Sequence, residues 1–111
     1  MVTYDDFTKL DIRVGLVLEA EKVPKSRALL KLQIDIGEPT PRQIVAGISN
    51  QYEPEEVKGK KVVVLVNLEP RKLMGIESQG MIMAADVENK AVLLKIDDKY
   101  LDSVPPGAKI R

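Results

Sequence analysis

Chemistry in this chain is confined to amines, guanidinium groups, carboxylates, hydroxyls and amides, because its 111 residues include no histidine and no cysteine. That removes the imidazole base, the thiolate nucleophile, the disulfide staple and the Cys/His zinc site together. The serine in Gly75-Ile76-Glu77-Ser78-Gln79-Gly80 has the wrong spacing for a nucleophile elbow, and no imidazole exists to activate it. Lys60-Lys61 follows Gly59 without the earlier glycine of a phosphate-binding loop. What remains is recognition of anions by cations and hydrogen-bond donors. Arg71 and Lys72 follow Pro70, where a guanidinium fork and an ammonium can reach phosphate oxygens without disturbing a core. Lys31 and Gln33 alternate with apolar residues and so leave a strand on one face; the plain alternative for them is a solvated surface. Ser78 can donate to a phosphate or ribose, and the flexible Met81 can pack under a sugar or base or belong to the core. Asn67 ends an apolar run, where an amide ties down the following turn as readily as it touches a ligand.

Seventeen basic and seventeen acidic residues cancel, which argues against a strongly basic body that binds any polyanion. The distribution is uneven. Residues 1–21 hold two basic and five acidic groups, 22–72 hold ten and six, and 73–111 hold five and six. An anion-binding surface is therefore expected mainly from the middle segment. No apolar run approaches the roughly 18 residues needed to span a bilayer, and the acidic N-terminus is unlike a secretory signal, so the expected location is cytoplasmic. Thirty-four charged residues against four glutamines and three asparagines lean toward a thermophile's composition.

The elements that must position these groups are short. Thr3-Tyr4-Asp5-Asp6 is a capping signal for one N-terminal helix, with Phe7 and Leu10 on one face. From Ile12 the period becomes two: Ile12, Val14, Leu16 and Leu18 are expected to point one way, and Arg13, Gly15, Val17 and Glu19 the other, as strand one. A connection over residues 21–28 leads to strand two, where Leu30, Leu32, Ile34 and Ile36 alternate with Lys31, Gln33 and Asp35. Gly37 to Pro41 is a turn, and Gln43 to Ile48 a third strand. Pro54 with carboxylates behind it suits a single helical turn ending at Gly59. Val62 to Leu68 is strand four, Glu69 to Gly80 a long polar loop, and Met81 to Ala85 strand five. A turn at Asn89-Lys90, a run from Val92 to Ile96 and a tail after Pro105-Pro106-Gly107 complete one domain over 1–111.

Five short strands with a helix between the third and fourth is the order of the OB-fold, a mainly β, five-stranded Greek-key barrel, here with small terminal extensions. That fold binds ligands on the face of strands two and three and through the loops joining strands one to two and four to five. Lys22, Lys25, Arg27, Arg71 and Lys72 all fall in those two loops. No aromatic residue lies in either loop or on strands two and three, which disfavours a binder of unpaired strands and suits recognition of a folded RNA's backbone shape.

Four blocks carry a family resemblance: Phe7 to Gly15 (FTKLDIRVG), Arg42 to Ile48 (RQIVAGI), Asn67 to Leu73 (NLEPRKL) and Gly75 to Met81 (GIESQGM). In this order they resemble the EMAP-like tRNA-binding domain, found at the C-terminus of many bacterial methionyl-tRNA synthetases, in eukaryotic synthetase cofactors and as a stand-alone dimer. A chain ending just after the domain is most similar to the archaeal methionyl-tRNA synthetase beta subunit type. The resemblance implies an OB-fold that binds the outer corner of folded tRNA as a homodimer, without reading the anticodon and without catalysis, cofactor or metal. A methionyl-tRNA synthetase catalytic subunit is the implied protein partner. The family's motifs fall on Ser78 and Met81, on Asn67, Arg71 and Lys72, and on Lys31; Lys22, Lys25, Arg27, Gln33 and Arg42 complete the expected contact set. The first loop departs from the family, with Val23-Pro24-Lys25-Ser26-Arg27-Ala28-Leu29 where a His-Pro-x-Ala-Asp-Lys-Leu pattern is common. Two other roles stay open: a peptide-binding, secretion-chaperone-like protein, and a module that only docks onto a synthetase.

Overall fold

The computed structural model describes residues 1–111. Helix α1 (Tyr4–Phe7) starts at Thr3, whose hydroxyl accepts from the Asp6 N–H (3.1 Å) while the Asp6 carboxylate accepts from the Thr3 N–H (3.3 Å). Strand β1 (Ile12–Lys22) is eleven residues long because it serves two neighbours. Its first half pairs antiparallel with β4 (Lys61–Leu65) and its second half with β2 (Leu30–Asp35).

That double duty bends β1 and shifts its phase. Alternation holds through the first half, with Gly15 and Val17 facing the core cluster, while Ile12 and Val14 are buried on the opposite face, which the C-terminal tail covers, and Leu16 and Leu18 are only half-buried. A bulge in the β2 pairing between Val17 and Glu19 then shifts the phase by one residue, so that Ala20 follows Val17 against the core. Gly15 allows the close approach, since a Cβ there would lie 2.5 Å from Ile34 Cγ2 and 2.9 Å from Val64 Cγ2.

Strand β2 alternates without a break and pairs with β3 (Arg42–Ala46). Helix α2 (Pro54–Val57) has Pro54 in its first turn and buries Val57 completely, which plugs the core cluster containing Leu30, Leu32, Ile34, Ile44 and Val64. Strand β4 ends at Leu65 rather than Leu68: the Val66 N–H still meets the Asp11 carbonyl in the β1 register (2.8 Å), but the Asp11 N–H goes to the Asn67 side chain (2.8 Å) and backbone pairing stops there. The main sheet runs β3-β2-β1-β4-β7, with β7 (Met81–Ile82) against the end of β4. Gln79 N–H donates to the Gln43 carbonyl (2.8 Å), drawing the β7 edge onto β3 and nearly closing an OB-like barrel.

Two hairpins differ from the sequence reading. The stretch 69–80 contains β5 (Arg71–Leu73) and β6 (Ile76–Ser78), so it is a ribbon and not an irregular loop. The fifth strand is broken at Met83, after which β8 (Ala84–Val87) leaves the barrel to pair with β9 (Lys90–Leu93). Beyond a 3-10 helix, Asp98–Ser103, the tail returns to β1: Gly107 and Ile110 donate to the Val14 and Ile12 carbonyls and Val14 to that of Ala108, each at 2.8 Å. No helix is long and apolar enough to cross a membrane.

Candidate nucleic-acid interface

The β5–β6 hairpin turns at Met74 and Gly75, both with positive φ (53° and 78°), the pair of left-handed residues a two-residue connection needs. Its register sets Arg71 opposite Ser78 and Lys72 opposite Glu77. Alternation then sends Arg71 and Leu73 to one face and Lys72 to the other. Arg71, Leu73 and Met81 line a groove of about 290 Å3 that continues along Val45 to Ile48 and Ile82. Both cations are exposed, and neither has a carboxylate within 4.0 Å.

The hairpin is fastened to β3 by side chains, and three of the expected contact residues have partners inside the protein. Ser78 is the one buried polar side chain, 3% exposed; its hydroxyl accepts from the Val45 N–H (3.0 Å) and donates to the Gly80 carbonyl (3.0 Å). Its single hydrogen is committed inside the protein, so it shapes the hairpin and has none left to donate to a phosphate. Arg42 forms a fork with Glu38 (2.9 and 3.2 Å) and donates to the Val66 and Gln79 carbonyls (both 2.9 Å). Its donors tie β3 to the strands that close the barrel. Asn67 accepts from the Asp11 N–H (2.8 Å) and donates to the Lys9 carbonyl (2.7 Å). It holds the N-terminal segment, not the turn that follows it. Gln43, which the sequence reading did not single out, donates to the Glu77 carbonyl (2.9 Å) and completes the fastening.

The outer face of the sheet continues from the hairpin in register. Lys31 lies opposite both Val45 on β3 and Glu21 on β1, and Gln33 lies opposite Gln43 and Glu19. Residues opposite one another share a face, so Lys31 stands one strand from the Arg71 groove, whose wall includes Val45. Lys31 is ion-paired with Glu21 (2.7 Å) and Lys22 with Glu53 (3.4 Å), while the Gln33 amide donates to Gln43 (3.3 Å). In the first loop Lys25 and Arg27 are exposed and without a carboxylate partner. The Ser26 hydroxyl accepts from Ala28 and Leu29 N–H and gives that loop its turn.

Away from this face, the Arg13 guanidinium hydrogen-bonded to Asp11 holds that carboxyl below its ordinary value, and Arg42 does the same to Glu38. The first pair joins residues two apart at the start of β1 and the second spans the turn between β2 and β3, and neither points to proton chemistry. No cluster of acidic side chains is arranged to hold a metal ion.

A nearly closed five-stranded barrel, plugged by one helical turn and carrying exposed cations on a fastened hairpin, defines a small β-barrel binding module of the OB type. The chain belongs to the family whose model is described as "Putative tRNA binding domain", which matches residues 12–108. It is 55% identical over 109 residues to the methionine–tRNA ligase of Archaeoglobus fulgidus, covering 98% of this chain and 16% of that protein. The chain thus spans about a sixth of the length of such curated relatives. Among solved structures it is similar to a MetRS-related protein from Pyrococcus horikoshii, with TM-score 0.89, 41% identity and coverage of 100% and 98% of the two chains. It is also similar to the chaperone CsaA of Bacillus anthracis, with TM-score 0.86, 32% identity and coverage of 100% and 99%.

Proposed function

We propose that this chain is a non-catalytic tRNA-binding module that raises the local concentration of tRNA for a synthetase. The observation that carries the reading is the β5–β6 hairpin, where Arg71 and Lys72 are exposed without a carboxylate within 4.0 Å, on a ribbon fastened by Ser78, Gln43 and Arg42. Unpaired cations in fixed positions suit phosphates held in a fixed arrangement. Lys31 flanks that site, with Lys25 and Arg27 in the adjoining loop, and Met81 offers an apolar floor beside Arg71. Neither the β5–β6 hairpin nor strands β2 and β3 carry a ring on which to stack an unpaired base, so binding there follows the folded tRNA corner and not the anticodon.

A methionyl-tRNA synthetase is the fitting partner, in the cytoplasm, with no cofactor or metal in the role. A second copy of the chain would cover α1 and the β8–β9 hairpin, where Tyr4, Val87, Val92 and Leu94 are exposed, and would double the basic surface.

Competition binding tests the reading with intact tRNAs of several specificities, an isolated anticodon stem-loop and unstructured RNA of equal length at one salt concentration. Intact tRNAs should compete similarly and best. Equal competition by unstructured RNA, or strong preference for one anticodon, overturns it. The apolar groove beside Arg71 supports the rival reading of a peptide-binding protein, and peptide binding with no tRNA binding would establish that rival instead.

A further inference from the structure

Between the turn that enters β4 and the 3-10 helix lies a notch of about 150 Å3, lined by Gly59, Lys60, Lys61, Lys95, Asp98 and Leu101. It holds three ammonium groups against one carboxylate. Lys61 is fixed: its ammonium donates to the carbonyls of Leu101 and Val104 and has no carboxylate within 4.0 Å. Lys95 is paired with Asp98 (2.8 Å), but both partners are more than half exposed, so water screens that pair and a stronger anion can compete for the lysine. Lys60 has no ion pair, and the one carboxylate on the notch is already held by Lys95.

We propose that this notch is a second RNA-phosphate site, separate from the hairpin and resting on the tRNA-binding reading above. Its size suits one tetrahedral group approached by several N–H donors. Two features favour a nucleotide over an acidic protein surface. The ring of Tyr100, next in sequence to Leu101, is 53% exposed and backed by the Lys99 ammonium at 5.4 Å, an aromatic platform of the kind on which a base stacks. The notch also adjoins the outer face that carries Lys31: Lys58, one residue before Gly59, is paired with Glu19 (3.3 Å), and Glu19 is in register with Gln33. A folded RNA touching the hairpin and this notch would be held at both flanks of one surface.

The test measures tRNA affinity against salt for the wild-type chain, for Lys60→Ala/Lys95→Ala, for Asp98→Asn and for Arg71→Ala/Lys72→Ala. Lys61 is left in place because it holds the 3-10 helix. The lysine double variant should bind more weakly and lower the log-log salt slope by about 0.7 to 0.9 per lost contact. Asp98→Asn removes the opposing charge and should tighten binding, which a merely structural role would not do. Unchanged affinity and slope in both notch variants, with wild type binding tRNA, overturns the notch alone; absence of wild-type binding overturns the tRNA reading itself. Unchanged tRNA binding combined with lost capture of a synthetase catalytic subunit would assign the notch to an acidic protein partner and equally overturn the proposal.

Discussion

Replacing Ser78 by alanine separates a hairpin latch from a ligand contact. The hydroxyl is 3% exposed, and its removal strands the Val45 N–H on the β3 edge and takes the donor from the Gly80 carbonyl. Little water can reach the gap, so one buried donor goes unsatisfied at about 1–3 kcal/mol, with a smaller loss at the carbonyl. A total of roughly 2 kcal/mol follows. In a domain of 111 residues, near the upper end of the size range where 1 kcal/mol moves Tm by about 4–8 °C, the melting temperature should fall by roughly 8 °C. Calorimetry on the variant reads this directly. Well below its Tm the hairpin is still held by the Gln43 bond to Glu77 and the Arg42 bond to Gln79, so tRNA affinity should fall only a few-fold. An unchanged Tm with a large loss of affinity would refute the reasoning, because it would mean that the hydroxyl faces the ligand.

Four further outcomes are expected. Arg71→Ala/Lys72→Ala should leave urea stability within about 0.5 kcal/mol of wild type, both residues being exposed, while flattening the salt dependence of tRNA binding; an unchanged slope would mean the cations are merely solvated. Gly15→Ala drives a Cβ to 2.5 Å from Ile34 Cγ2 and should lower stability by about 1–3 kcal/mol in urea titrations, with no effect expected if β1 relaxes freely. The carboxyls of Asp11 and Glu38 are held below their ordinary 3.8 and 4.5, so their contribution is fully present above about pH 4.5 and is lost as pH falls through the lowered values. Glu38→Gln should therefore flatten the acid limb of the urea midpoint between pH 5 and pH 3, and an unaltered limb would dismiss that pair. Analytical ultracentrifugation should give twice the 12.3 kDa chain mass, and Val92→Asp should shift the equilibrium toward monomer; a wild-type monomer at micromolar concentration removes the dimer.

The legible parts were those where a local rule and the global fold agree. Strand β2 read correctly because it is central and half-buried, so its period of two survives intact from Leu30 to Asp35. Helix α2 read correctly because Pro54 and its following carboxylates mark a first turn in any context. The inward face of β1 and its phase beyond Val17 did not, since the tail that covers Ile12 and Val14 and the bulge that follows Val17 both answer to distant partners. The β5–β6 ribbon hid because its turn is Met74-Gly75 and lacks the Asn-Gly or Asp-Gly signal of such hairpins.

For the site, sequence by itself determined which chemistry was excluded and where the cations lie, because absent histidine and cysteine and a charge count need no coordinates. It also indicated the barrel, through strand number and the place of the helix. Only the tertiary structure decided which polar side chains are free. Ser78, Arg42 and Asn67 looked as available as Arg71 and Lys72, yet each bonds to backbone groups 2 to 58 residues away in the chain. For Ser78 burial makes the internal bonds obligatory, whereas the half-buried Arg42 and the exposed Asn67 meet backbone groups brought beside them by barrel closure. Whether a given serine or arginine is buried depends on strands that meet only when the barrel closes.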